Sequence, residues 1–188
     1  MNLMKGELAK YVGRPTMVTI TRIFPGESQH RGFVLGLSDK LVLIQQWHDF
    51  YAEGYAVLRV RDIEAVESGP KEDYNTRVVA LEGMMAKTGI PYDVPLDGFK
   101  SVLQVAKKRN LVVIVECESR ECGSDDWYHI GKVVGLNPAS LSLLFFDAIG
   151  TWDWKPTVIP FTEMTKVQID TPYANTMAKY LEKPLMVP

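Results

Sequence analysis

No sequence signature of catalysis is present in this chain. There is no Gly-x-Ser-x-Gly elbow, no phosphate loop of the Gly-x-x-x-x-Gly-Lys-Ser/Thr type, no His-Glu-x-x-His helix and no Gly-x-Gly-x-x-Gly turn. Cysteine is scarce as well. The two present, Cys117 and Cys122, fall in one loop and lack the two further ligands of a structural zinc site, so they read as plain thiols. The three histidines are scattered. His129 follows Asp125, Asp126, Trp127 and Tyr128 without a second histidine in its strand, which argues against a metal or general-base role. His30 reads as part of a polar loop after Pro25-Gly26-Glu27-Ser28-Gln29. Excess positive charge is missing: the formal net charge is −2, which disfavours a broad grip on phosphates but leaves room for a local basic patch. No apolar run approaches the length of a membrane span, and the first residues lack the charged and apolar segments of a signal peptide. The expectation is a cytoplasmic protein with no membrane partner, no cofactor, no metal and no enzymatic activity. An enzyme with a pocket between two halves is the lesser alternative.

What is present is a repeat. Gly32-Phe33-Val34-Leu35-Gly36-Leu37-Ser38 returns as Gly131-Lys132-Val133-Val134-Gly135-Leu136-Asn137, an offset of 131 − 32 = 99. Leu41 aligned with Leu141 gives an offset of 100 and implies one extra residue in the second turn. Ile63 and Val66 match Met164 and Val167 at 101. Asn75-Thr76 and Leu81-Glu82 match Asn175-Thr176 and Leu181-Glu182 at 100. Matches that keep one order with small drift indicate a duplicated unit. The first unit is placed at residues 1–86 and the second at 96–188. Residues 87–95, with two prolines and a glycine, are the linker.

Each unit opens with a helical pattern: Met4, Leu8, Tyr11 and Val12 in the first, Leu96, Phe99, Val102, Leu103 and Ala106 in the second. Lys107-Lys108-Arg109 suits a helix C-terminus. Five strands follow. Val18 and Ile20 alternate with threonines as in a half-buried strand, whereas 111–115 is apolar enough to be covered on both faces. The others are 31–37, 41–46, 54–61 and 63–67, then 129–136, 141–146, 157–161 and 164–169. Gly36 and Gly135 mark a bend or bulge. A helix closes each unit, 76–85 and 176–181, with Asn75 and Asn175 as N-caps.

A helix, five short strands and Gly-x-x-x-Gly-x-Ser/Asn ahead of an apolar third strand resemble the Sm-like fold of the eukaryotic Sm and LSm proteins and bacterial Hfq. Gly36, Asp39 and Leu41-Val42-Leu43 carry the likeness in one copy, and Gly135, Asn137 and residues 141–144 in the other. The second Sm motif would fall at 58–63 and 159–164. The turn after Gly36 is shorter than the motif, its asparagine is missing from the first copy, and no arginine lies near Glu163. The resemblance implies an α+β, mainly β chain: two tandem bent five-stranded antiparallel barrels, each preceded and followed by a helix. It also implies strand four of one barrel pairing with strand five of the next, either within the chain or between chains. Three chains would then form a ring of six barrels.

The leading expectation is therefore a non-enzymatic oligomeric interaction module. The alternative is single-stranded RNA bound through the turns between strands two and three and strands four and five. Ser38, Asp39, Lys40, Arg59, Arg61 and Asn137 would carry that contact. Trp47, His48, Trp152 and Trp154 form a candidate aromatic surface. Such residues either stack bases or pack the barrel ends.

Overall fold

The computed structural model describes residues 3–24, 29–118 and 128–181. The loop 25–28, Cys122, Asp125, Asp126, Trp127 and Glu182 lie outside the described residues. The strands are β1 (Met17–Arg22), β2 (Gln29–Leu37), β3 (Leu41–His48), β4 (Tyr51–Arg59), β5 (Ile63–Glu67), β6 (Val112–Glu116), β7 (Tyr128–Leu136), β8 (Ser140–Phe145), β9 (Thr157–Pro160) and β10 (Lys166–Ile169). The helices are α1 (Leu3–Ala9), α2 (Pro70–Leu81), α3 (Phe99–Lys108) and α4 (Pro172–Tyr180). All strands join one antiparallel sheet in the order β5-β1-β2-β3-β4-β10-β6-β7-β8-β9. The first five positions and the last five repeat one scheme: fifth strand, first, second, third, fourth. The join is β4 against β10, with Val57 opposite Val167.

The repeat is physical as well as topological. A Cβ on Gly32 would lie 1.9 Å from the Gln45 carbonyl oxygen, and one on Gly131 would lie 2.1 Å from that of Leu144. Only glycine permits that approach. Both second strands break register just before the next glycine, between Val34 and Gly36 and between Val133 and Gly135. These are the bulges the glycines foretell. The offset does not rise to 100 in the third strand. Leu37 pairs with Val42, and Leu136 with Leu141, so it stays at 99 and the two turns are equally long. Leucines are frequent in both strands, and an identity match slipped by one.

The closing helices also start earlier than the asparagine match implies. Gly69 and Thr171 are the N-caps, each followed by proline as the first helical residue. Asn75 and Asn175 sit inside the helices. Glu72 Oε2 accepts from the Gly69 N–H at 3.0 Å, and Thr171 Oγ1 from the Ala174 N–H at 3.1 Å.

The two largest of four buried apolar clusters lie one in each half. One lies inside the first half: Val18, Ile20, Val34, Val42 and Ile44 under Leu8 of α1. The other lies inside the second half: Val113, Val115, Val133, Leu141 and Leu143 under Val102, Leu103 and Ala106 of α3. This second core continues without a break into Leu41, Leu43, Tyr55 and Val57 of the first half and into Val94 of the linker. Each such aliphatic side chain contributes about 1.5–3 kcal/mol when buried, so the halves are joined by apolar packing as well as by strand pairing. The residues of β6 are all buried, as their composition implies. β1 is not half-exposed: α2 covers its second face, where Thr19 Oγ1 donates to Glu72 at 2.8 Å.

Candidate functional site

Four strands separate β1 from β6 in the sheet, yet their ends meet. Arg22 ends β1 with its side chain 0 % exposed, and its Nη1 and Nη2 donate to the two oxygens of Glu118, just past β6, at 2.5 and 2.6 Å. The sheet is therefore curled around a polar seam. Glu118 also accepts from Thr165 Oγ1 at 2.6 Å. Arg22 Nε donates to His30 Nε2 at 2.9 Å. A neutral imidazole has one acceptor and one donor nitrogen, so with Nε2 accepting from Arg22 the proton sits on Nδ1, and Gln46, whose amide nitrogen lies 3.0 Å away, accepts it with the amide turned to present its oxygen. Lys166 Nζ donates to Glu116 Oε1 at 2.7 Å.

Burial, with Lys166 and Arg22 nearby, holds the His30 pKa down at about 2. Burial opposes the charge on Glu118, but the bonds from Arg22 and Thr165 outweigh it and keep its carboxyl below the ordinary range. Glu116 goes the other way: burial raises it, and Lys166 offsets this only in part. The result is a neutral histidine between two ion pairs, in which each titratable group is satisfied by a neighbour. Such a network rigidifies the place where the sheet closes on itself. Sequence reasoning missed this seam. Its available signal was a charged residue ending each apolar first strand, Arg22 after Val18–Thr21 and Glu116 after Val112–Val115.

Beside the seam opens a cleft of about 900 Å³, bounded by the first turns of α2 and α4, with Lys166, Gln168 and Tyr128 among its lining residues. Burial, Tyr173 and Glu116 push the Tyr128 hydroxyl up to about 12. Among the described residues, no group of His, Cys, Asp or Glu is placed to hold a metal. Burial raises the Cys117 thiol to about 11, which keeps it protonated.

The six residues assigned to RNA are only partly brought together. In the first half the two turns touch, with Val60 N–H donating to the Lys40 carbonyl at 2.9 Å. Ser38 is committed, its Oγ accepting from the N–H groups of Lys40 and Leu41 at 3.1 and 3.0 Å and donating to the Leu96 carbonyl at 2.6 Å. Asn137 caps the matching turn in the second half, its Oδ1 accepting from the N–H groups of Ala139 and Ser140 at 2.8 and 2.7 Å. Asp39 pairs with Lys5, and Arg59 with Asp62 and the Thr162 carbonyl. Lys40 and Arg61 stay exposed, Arg61 at 3.9 Å from Asp62.

The aromatic surface does not form as a unit. Trp47 is 3 % exposed, edge-on to Phe33 and packed with Met17 and Val79, because α2 covers that face of β3. Its indole N–H has no acceptor among the described residues. Trp152 packs edge-on against Phe146. His48 stays exposed beside Asp49, and Trp154 is 79 % exposed with Lys155 over its ring. His30 is corrected from loop to strand: it lies in β2, buried. The basic end of α3 is structural, Lys107 donating to the Val134 carbonyl at 2.7 Å and Arg109 lying 3.9 Å over the Tyr92 ring. Among the described residues no helix is long and apolar enough to cross a membrane.

No family model, no characterised protein and no solved structure matches this chain.

Proposed function

We propose that the chain is a non-enzymatic assembly module of two Sm-like barrels whose outer sheet edges join other copies head to tail. The observation that carries this reading is the internal join, in which a fourth strand, β4, pairs with a fifth strand, β10. β5 and β9 at the two ends of the sheet are again a fifth and a fourth strand. Val57 corresponds to Val158 (158 − 57 = 101) and Val66 to Val167 (167 − 66 = 101), through their partners in the neighbouring strands. The internal register then transfers to an inter-chain one: Val66 opposite Val158, Ala65 opposite Ile159, Glu67 opposite Thr157. Val158 is 62 % exposed on its edge strand, as an unpartnered contact residue is. Three chains joined this way close a ring of six barrels.

Light scattering after size exclusion tests the proposal. The mass should climb with concentration toward three chains, and Val158→Lys, on a surface position, should hold it at one. A single-chain mass at every concentration would rule the reading out. Single-stranded RNA is the second reading, supported by the exposed Lys40 and Arg61 on adjoining turns. Oligonucleotide binding that weakens as salt rises and is lost in the Lys40→Glu, Arg61→Glu double variant would favour it.

A further inference from the structure

The cleft beside the polar seam lies at the internal join, away from the outer strands β5 and β9. Its charges cancel: Asp49, Glu53 and Glu116 stand against Arg31, Lys71 and Lys166 along the lining. Several of its groups satisfy one another. Lys166 donates to Glu116, Arg31 Nε donates to Thr19 Oγ1 at 3.3 Å, and Gln46 meets His30. Four others do not. The side chains of Gln29, Glu53, Lys71 and Gln168 make no hydrogen bond or ion pair among the described residues. They comprise one carboxylate that only accepts, one ammonium that only donates, and two amides that do both.

Two rings complete the wall. Tyr128 of β7 is 37 % exposed and Tyr173 of α4 is 52 % exposed. Tyr173 lies near enough to act on the Tyr128 hydroxyl, so the two side chains stand together. Each offers an apolar ring and a polar tip.

Such a wall selects by chemistry. A net charge on a ligand meets as much repulsion as attraction. A hydrocarbon would strand the open donors and acceptors away from water. The matching ligand is neutral, carries groups that both donate and accept, and has C–H surface to lay on a tyrosine ring. A hydroxyl both donates and accepts, and a sugar ring sets hydroxyls around its rim and C–H bonds on its faces. The polarity is not imposed by the fold. Thr19, Arg31 and Gln46 correspond to Ile114, Ile130 and Phe145 through the pairing of their strands, and those three pack in an apolar cluster under α4.

We infer that this cleft binds a short neutral saccharide, its hydroxyls shared among Gln29, Glu53, Lys71 and Gln168 and one ring face laid on the tyrosines. The volume, about 900 Å³, is that of a small-molecule site.

Titration calorimetry on the full chain tests this with maltotriose, cellotriose and N-acetylated chitotriose. Benzoate is the charged comparator and benzyl alcohol the apolar one. At least one saccharide should bind and neither comparator should. The affinity should hold from low salt to about 0.5 M, since no net charge is neutralised on binding. Tyr173→Ala and Glu53→Ala, both at exposed positions that leave the fold intact, should each weaken binding by about fivefold or more, through loss of a ring contact and of a hydrogen bond to a charged group. No heat with any of the three saccharides, equal or tighter binding of a comparator, an affinity that falls steeply with salt, or unchanged affinity in both folded variants would overturn the inference.

Discussion

Removing the Glu118 carboxylate is the sharpest perturbation of the seam. Arg22 is wholly buried, and Glu118 is the only carboxylate it bonds among the described residues; its other partner, His30, is neutral. Glu118→Ala therefore leaves an uncompensated guanidinium in the interior, and Thr165 Oγ1 loses an acceptor. Breaking a buried pair from one side costs about 3–5 kcal/mol. For a chain of this length each kcal/mol moves the melting point by about 2–4 °C, so a fall of roughly 6–20 °C is expected. The pH dependence has a definite sign. The folded pKa of Glu118 lies below the free value of 4.5, so the pair's contribution is complete above that value and fades as pH falls through the depressed native pKa. Urea unfolding of native and variant chains should therefore give a gap that is constant near neutrality and narrows in acid. Replacing both partners, Arg22→Met with Glu118→Leu, should recover most of the loss, since an apolar pair of similar size removes the stranded charge. A loss under about 1 kcal/mol, or a gap unchanged into acid, would refute the claim that this pair closes the curled sheet.

The other predictions follow the same logic. His30 stays neutral because its folded pKa of about 2 lies far below the free value of 6.5. The unfolded chain takes up a proton that the native chain refuses, so this residue erodes stability as pH falls below 6.5, by up to about 1.4 kcal/mol per unit. Its NMR signals should report the neutral Nδ1–H tautomer at pH 5, and an imidazolium there would contradict the seam's geometry. Gly32→Ala and Gly131→Ala should both abolish cooperative folding by circular dichroism, since each new methyl meets a carbonyl oxygen at 1.9 or 2.1 Å. Gly6→Ala, inside α1 with nothing within 4 Å, should instead stabilise by about 0.5–1 kcal/mol. Ser38→Ala and Asn137→Ala should each cost about 1 kcal/mol in urea unfolding, as matched turn caps do.

The repeat and the ten strands were legible because two local signals agreed: alternation of apolar residues, and glycines where a strand must bend. Identity matching failed where one residue type recurs. Leu41 aligned with Leu141 although Leu41 occupies the place of Ser140. The same slip set Asn75 against Asn175, while the true landmarks were the prolines that open each helix, Pro70 and Pro172. The seam was illegible for a different reason. Arg22 and Glu118 are 96 residues apart, and only the curl of the whole sheet brings them together. No window of sequence contains that curl. Trp47 looked like a surface residue because its neighbours His48 and Asp49 are polar, but α2 returns from far along the chain to cover it.

Divergence between the two copies bears on how the outer edges behave. At the internal join Leu41 and Leu43 are buried in the core that links the halves. Their counterparts on the outer half are Ser140 and Ser142, as the turn hydrogen bonds and the pairing with Gly36 and Gly135 fix. Two leucines replaced by serines remove several kcal/mol of apolar burial from any joint made there. The edge strand β9 is also short, four residues against nine in β4, and ends in a proline. Both traits are ways of blunting a sheet edge. An inter-chain joint built on the internal template is therefore much weaker than that template, and assembly should be reversible on dilution. Substituting Ser142→Leu, which restores the apolar counterpart of Leu43, should shift light-scattering mass toward the assembled form at lower protein concentration. A variant that remains folded yet assembles no better than the native chain would break the link between the internal join and the outer one.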